Sequence, residues 1–321
     1  MKKLALFLAM GFLALVLAAC GSSDSADDAD KNTDADNGKD EETTITVKHE
    51  LGETEVEKNP EKVVVFDYGT LDTLDELGVD IAAVPQGNLP EYLDKYESDD
   101  YVNVGSLKEP DFEAIAEVDP DLILISGRQS DAYDELEKLG PTIYLGVDTT
   151  RYMDSFKENL AQIGDIFDKQ DEIDSEIADI EESISALNEK AEEADKDGLI
   201  ILANDDKISA YGPESRFGLI HDVFGVPASD EGIEASTHGQ NVSFEYVTEQ
   251  DPDLLYVVDR GAAITDGEPS AKKIVENDLM KDTKAYKNDD ITYLNPEYWY
   301  LSGGGLVSVK EMIAEVDESL N

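Results

Sequence analysis

The residues best placed to do chemistry in this 321-residue chain are its arginines, because there are only four of them against 75 Asp and Glu. Two of the four close the two copies of a repeat. Residues 112–128 read FEAIAEVDPDLILISGR and residues 244–260 read FEYVTEQDPDLLYVVDR, an ungapped pair at an offset of 132 with eight identities in seventeen positions. Arg128 and Arg260 are the last residues of the two copies. An arginine at matched positions in so acidic a chain points to a need for a fixed, always-charged fork of donors. Such forks bind anions through charge-assisted hydrogen bonds to oxygen. A third arginine, Arg216, lies in YGPESRFG (211–218), where a loop leads into a helix and anions are already favoured. A helix-capping or core ion-pair role is its alternative. Arg151 lies outside these motifs and reads as surface.

Catalysis finds little support. The chain has no G-x-S-x-G, H-E-x-x-H, Walker-type or G-x-G-x-x-G pattern. Its one cysteine is Cys20, and His49, His221 and His238 are too far apart in sequence to suggest a triad. A zinc or manganese binder would want more histidines. The chain is therefore expected not to be an enzyme and to need no cofactor of its own.

The repeat also says how its arginines are positioned. Each copy begins with a short helix burying one face (Phe112, Ile115; Phe244, Val247). Asp-Pro ends that helix, since proline lacks the amide donor. A continuous apolar run follows and reads as a strand buried on both faces. The arginine then stands at the strand's carboxyl end, where open α/β sheets bind ligands. Two copies predict two doubly wound α/β lobes facing one site. The first lobe is expected over 44–150, with strands near 63–66, 81–84, 122–125 and 142–145 and helices over 70–77 and 131–139. The second is expected over 197–321. Between them, 151–196 is helical: Met153, Phe156, Leu160, Ile163 and Phe167 share one face, with a break near Gly164. Ile173, Ile177, Ile180, Ile184 and Leu187 share another, in a helix over 169–195 about 40 Å long at 1.5 Å per residue. A coiled-coil dimer is the alternative; a rigid strut between the lobes of a monomer fits the placement better.

Residues 1–19 form a targeting segment, with Lys2 and Lys3 before an apolar run too short to span a membrane ordinarily. Residues 20–43 are polar and acidic, a disordered tether. The formal net charge of −50 excludes the basic face that nucleic acid requires. An acidic shell of this kind suits brine or high pH. It should repel an anionic ligand at long range, but screening over about 8 Å at physiological salt leaves local arginines in control.

Taken together, LAAC (17–20), the long helix, the duplicated Glu-x5-Asp-Pro-Asp-Leu, YGPESRFG, VVDRG (257–261) and PEYWYLSGGG (296–305) resemble a known family. It is that of the class III substrate-binding lipoproteins of ABC importers for iron–siderophore complexes. Within it the chain is most similar to petrobactin-type catecholate binders, over essentially the whole mature chain. The resemblance implies a class III periplasmic-binding-protein-like fold and lipidation at Cys20, anchoring the protein to the outer face of the cytoplasmic membrane. It implies that Arg128, Arg216 and Arg260 neutralise a ferric catecholate of charge about −3. It implies that His238 and one of Tyr298 or Tyr300 fill open positions on Fe(III), which arrives with the ligand. Tyr298, Trp299 and Tyr300 would line the site, or else form an aromatic cluster packed between the lobes. Tyr68 and Gln86, at strand ends, could edge it. His49 and His221 read as structural. Glu113 and Glu245, matched in the repeat, would dock onto an ABC permease dimer; favouring their helix amino termini is the alternative. Another cargo of the same class, a hydroxamate siderophore, haem or cobalamin, is the runner-up.

Overall fold

The computed structural model describes residues 43–264 and 271–321. The expected signal segment, Cys20 and all but the last residue of the tether lie outside the described residues. The described chain opens with an antiparallel hairpin, β1 (Thr44–His49) and β2 (Gly52–Glu57). The hairpin covers a sheet edge, with Thr54 Oγ1 donating to the Thr142 carbonyl at 2.8 Å.

The first lobe is a five-stranded parallel sheet. Its elements are β3 (Val63–Val65), α1 (Tyr68–Glu76), β4 (Ala83–Val84), β5 (Val102–Asn103), α2 (Phe112–Val118), β6 (Leu122–Ile125), α3 (Tyr133–Leu136) and β7 (Thr142–Tyr144). The strand order is β5-β4-β3-β6-β7. The chain winds outward in both directions from β3 and β6, so the topological switch point lies between them. Two details differ from the sequence reading. The two-residue β5 was not foreseen, because so short a run carries no periodicity. The helix expected over 131–139 is a 3₁₀ turn followed by a single α-turn.

The linking segment holds α4 (Tyr152–Phe167) and the 25-residue α5 (Gln170–Ala194). The break falls at Asp168, which takes a left-handed φ of 53°, and not at Gly164. Gly164 stays within α4, and α5 folds back close to it: a Cβ there would stand 3.3 Å from Ile173 Cδ1.

The second lobe comprises β8 (Gly198–Asn204), β9 (Lys207–Tyr211), α6 (Leu219–Asp222), β10 (Gln240–Val242), α7 (Phe244–Gln250), β11 (Leu254–Asp259), α8 (Arg260–Ile264), α9 (Ala271–Val275), α10 (Lys284–Asn288) and β12 (Ile291–Leu294). Its order is β10-β9-β8-β11-β12; β8, β11 and β12 are parallel, and β9 is antiparallel to β8 and β10. The repeat is real in structure. α2 and α7 are capped by Asp111 and Ser243, and they end on Asp119 and Asp251 at φ 54° and 45°. The aspartate before each proline thus terminates the helix in a left-handed turn that its short polar side chain tolerates.

Strand alternation sends neighbouring residues to different cores. Val63 and Val65 join one continuous cluster with Phe156, Ile180, Val258 and Val309, whereas Val64 and Phe66 face an outer core with Ile115 and Leu136. The inner cluster runs through both lobes and both long helices. Each fully buried aliphatic in it contributes about 1.5–3 kcal/mol, so wide opening of the lobes would expose it at high cost.

The last helix, α11 (Leu306–Ser319), follows a π-turn at Glu297–Leu301. The sequence reading places it in the second lobe, which it meets through Ser319 Oγ, 2.9 Å from Tyr256 Oη of β11; it also packs on α1 of the first lobe and on α5. Close approach makes this possible. A Cβ on Gly69 would come within 2.9 Å of Gly305 N, and one on Gly305 would collide with the Gly69 carbonyl and Asp72. Gly305 has no side chain to cap its helix, so α1 supplies the cap. Leu306 N donates to Thr73 Oγ1 (3.0 Å), Val307 N to Asp72 Oδ1 (3.3 Å) and Ser308 N to Asp72 Oδ2 (3.1 Å). These are three of the four amides a helix start leaves unpaired.

Asp72 is fully buried. Burial pushes its carboxyl up to about 7, against the hydrogen bonds from Ser308, Tyr92 and Val307. The folded chain therefore holds this proton more tightly than the unfolded chain, whose value is the ordinary 3.8. The stability it contributes is full below 3.8 and is lost as pH rises through about 7. The melting temperature is expected to fall between about pH 5 and about pH 8.5, and Asp72→Asn to flatten that slope. Parallel curves for the two proteins would remove Asp72 as the cause.

Candidate ligand-binding site

Arg128 is aimed by the turn after β6. Ser126 N donates to Gln129 Oε1 at 3.1 Å, and Gln129 Nε2 donates to the Leu107 carbonyl, so a buried glutamine locks the turn. Arg216 lies in the turn before α6, which is a single turn of helix, too short for the helix-terminus contribution that sequence suggested. Its place is set instead by packing, with its guanidinium 5.3 Å from the Phe217 ring centroid and 4.1 Å from that of Tyr300. Arg260 opens α8 directly after β11. Asn204 ends the adjacent strand, and its Oδ1 accepts from Arg260 Nη1 at 2.9 Å.

These three arginines, drawn from both lobes, converge on one residue. The Tyr300 carbonyl accepts from Arg128 Nη2 and from Arg216 Nη2, each at 2.6 Å. Arg128 Nη1 adds a longer contact of 3.4 Å to the Leu301 carbonyl. The Tyr300 phenol oxygen stands 3.0 Å from Arg260 Nε. The wide π-turn presents a carbonyl and a ring to the same side, a recurrent use of π-bulges. Electrostatics follow from the crowding. Burial, then the like charge of Arg128, holds the Arg216 guanidinium below its ordinary value. Burial would raise the Tyr300 phenol, but the Arg260 hydrogen bond and the charges of Arg216 and Arg260 outweigh it and lower the phenol. Such a cluster of cations gains from any polyanion that enters it.

Residues 63–298, which include every strand of both sheets and all three of these arginines, match the family described as periplasmic binding protein. The chain belongs to that family. Its relatives there are binding proteins, not enzymes. The chain is 53% identical over 325 residues to the petrobactin-binding protein YclQ of Bacillus subtilis (strain 168), covering 100% of this chain and 99% of the relative. The crystal structure of YclQ superposes with a TM-score of 0.85 at 56% identity, over 87% of this chain and 99% of that one. The periplasmic catecholate-siderophore binding protein VctP of Vibrio cholerae gives 0.82 at 35% identity, over 86% and 99%. The fold class read from the sequence, two α/β lobes of the class III binding-protein kind, is the one this binding protein adopts, with two helices, α4 and α5, where one long rigid helix was expected to join them.

The other residues singled out from sequence are placed as follows. Trp299 is buried and turns away from the arginines, its Nε1 donating to Glu315 Oε2 at 2.6 Å against α11. Tyr298 packs on Tyr92 of the first lobe, ring centroids 5.0 Å apart. Of the three aromatics, then, Tyr300 alone joins the arginine cluster. His238 is exposed in the loop before β10, its backbone amide donating to Ser236 Oγ at 3.2 Å, outside the arginine cluster. Tyr68 is buried and donates to the Pro85 and Gly87 carbonyls, each at 2.9 Å; Gln86 Nε2 donates to the Tyr96 carbonyl at 2.7 Å. Both shape a loop instead of offering a donor. His49 and His221 serve structure, beside Thr54 Oγ1 (3.0 Å) and the Val226 carbonyl (2.8 Å). Arg151 is at the surface, paired with Asp148 and Glu158. Glu113 and Glu245 are both exposed in the first turns of α2 and α7.

Sequence reasoning passed over Asn204, Gln129 and Asp72. Asn204 carried a usable signal, since it too ends a strand at the carboxyl edge. The surface groove lined by Asn59, Glu61, Asp80, Phe167 and Lys169 lies at the amino end of β3 and contains none of these groups. Among the described residues, no group of His, Cys, Asp and Glu is arranged to hold a metal.

Proposed function

We propose that this binding protein captures an anionic ferric siderophore of the catecholate, petrobactin-like type and delivers it to an ABC importer. The observation that carries the reading is the convergence of Arg128, Arg216 and Arg260 on Tyr300. Three guanidinium groups match an anionic chelate rimmed by phenolate oxygens. A neutral hydroxamate complex would make no use of them. The names of YclQ and VctP, petrobactin binder and catecholate-siderophore binder, support the same cargo. Iron belongs to the cargo, and the protein needs no resident cofactor. Tyr300 is positioned to offer a phenol oxygen toward that cargo; His238 would have to be carried in by its loop.

Titrating the purified protein with a ferric catecholate is expected to quench Trp299 and tyrosine fluorescence saturably. Absence of quenching by several ferric catecholates, with binding of haem or cobalamin instead, would reassign the cargo.

The protein is proposed to act as a monomer held at the outer membrane face through lipid on Cys20. No helix among the described residues is long and apolar enough to cross a membrane. Glu113 and Glu245 are proposed to dock onto the two halves of a permease dimer, since matched exposed carboxylates suit a two-fold partner. Reversing both charges (E113K with E245K) is expected to abolish iron uptake by cells while the purified protein binds its chelate as before. Normal uptake by that variant would exclude the docking role.

A further inference from the structure

We propose that Asn204 is a positioning residue that fixes Arg260 through a neutral acceptor and so keeps the site's positive charge uncompensated for an anionic ligand. The inference rests on the reading above for its ligand, but its geometry stands alone. Asn204 is the last residue of β8, beside β11, and Arg260 immediately follows β11. Arg260 Nη1 donates to Asn204 Oδ1 at 2.9 Å, and a guanidinium only donates, so the amide must turn its oxygen inward.

The sequence around Asn204 makes the choice of an amide informative. It reads Asn204-Asp205-Asp206, and both aspartates are exposed in the turn to β9. Of three adjacent residues, the neutral one faces the arginine. The same selection recurs at the other two forks. Arg128 and Arg216 are held by main-chain carbonyls, and Arg260 is held by an amide and a phenol. Among the described residues, arginine ion pairs belong to Arg151 alone, at the surface. Among the described residues, two acids at these strand ends are turned to other duties. Asp259, next to Arg260 in sequence, accepts from Ala262 N at 3.1 Å and from Ala271 N at 2.7 Å. Asp67, at the corresponding edge of the first sheet, accepts from Thr70 N at 2.8 Å and Ser126 Oγ at 2.7 Å. In a chain with 75 acidic residues, a carboxylate against any of these forks would cancel the charge an anion needs. An amide oxygen orients the fork and leaves its charge in place.

The test uses Asn204→Asp and Asn204→Leu in the full chain. Two readouts are taken, affinity for a ferric catecholate and the ultraviolet titration of the Tyr300 phenol, isolated by subtracting the Tyr300→Phe spectrum in each background. N204D is expected to lose roughly tenfold or more in affinity and to raise the phenol midpoint toward that of an ordinary tyrosine. N204L keeps the charge and loses only the acceptor, so it is expected to lose less affinity and to leave the phenol low. N204D binding within about twofold of wild type, or N204L losing as much as N204D with the same phenol shift, would overturn the proposal. If the wild-type protein binds no ferric catecholate, the ligand reading fails. The phenol titration, which needs no ligand, still decides whether Asn204 protects the charge.

Discussion

Arg216→Ala is expected to weaken binding of a ferric catecholate by about a hundredfold, close to 3 kcal/mol. Arg216 is the central member of the cluster. It donates to the Tyr300 carbonyl at 2.6 Å, covers the Tyr300 ring at 4.1 Å and feels the like charge of Arg128. An entering anion relieves that repulsion and gains a desolvated, charge-assisted partner, so the arginine acts more strongly in the complex than in the free protein. Truncation would also leave the chelate with an unpaired acceptor in a half-buried site. Arg216→Lys should recover only part of the loss, because an ammonium restores a point charge but neither the planar fork nor the stack on Tyr300. Titration of both variants by fluorescence quenching, with thermal melts confirming folding, measures the effect. An alanine variant that binds within threefold of wild type would show that the convergence of guanidinium groups has nothing to do with the ligand.

The second large effect is on stability. Gly305→Ala is expected to destabilise the protein by about 3 kcal/mol, at the upper end of overpacking costs. That corresponds to roughly 6–12 °C in melting temperature for a domain of this size. The added methyl has nowhere to go: it would occupy the space of the Asp72 carboxylate and the Gly69 carbonyl. Relief requires the amino end of α11 to back away from α1, and that breaks the caps from Asp72 and Thr73 to Leu306, Val307 and Ser308. Four residues separate Gly305 from Tyr300, so the same movement would shift the carbonyl that Arg128 and Arg216 share. Affinity is therefore expected to fall along with the melting temperature. Calorimetry and ligand titration on one preparation test both. An unchanged melting temperature would mean that α11 is not held at this contact.

What was legible in the sequence, and what was not, separates along physical lines. The repeat announced two equivalent α/β units because helix, Asp-Pro, buried strand and arginine are all local signals, and the structure returns each in turn. The break between α4 and α5 was placed at Gly164 because glycine is the usual interrupter. The structure uses Asp168 instead and reserves Gly164 for the close passage of α5. Local sequence cannot distinguish a glycine that ends a helix from one that lets a second helix approach it. The three aromatics 298–300 posed the same difficulty. Each is equally apolar in sequence, and only the pitch of the π-turn sends Trp299 to Glu315, Tyr298 to Tyr92 and Tyr300 to the arginines.

The amino-acid sequence by itself determined the two-lobed α/β architecture, the helical character of the linking segment, and which arginines stand at strand ends, because periodicity, turn chemistry and a duplicated motif act over short distances along the chain. Tertiary structure decided that α11 also packs on α1, that Asp72 caps a helix more than 230 residues away, and that Asn204 rather than an acid meets Arg260. Those contacts join distant segments whose side chains satisfy one another only once water is excluded. Their strength depends on burial and on charges brought close in space, and neither quantity exists until the chain has folded.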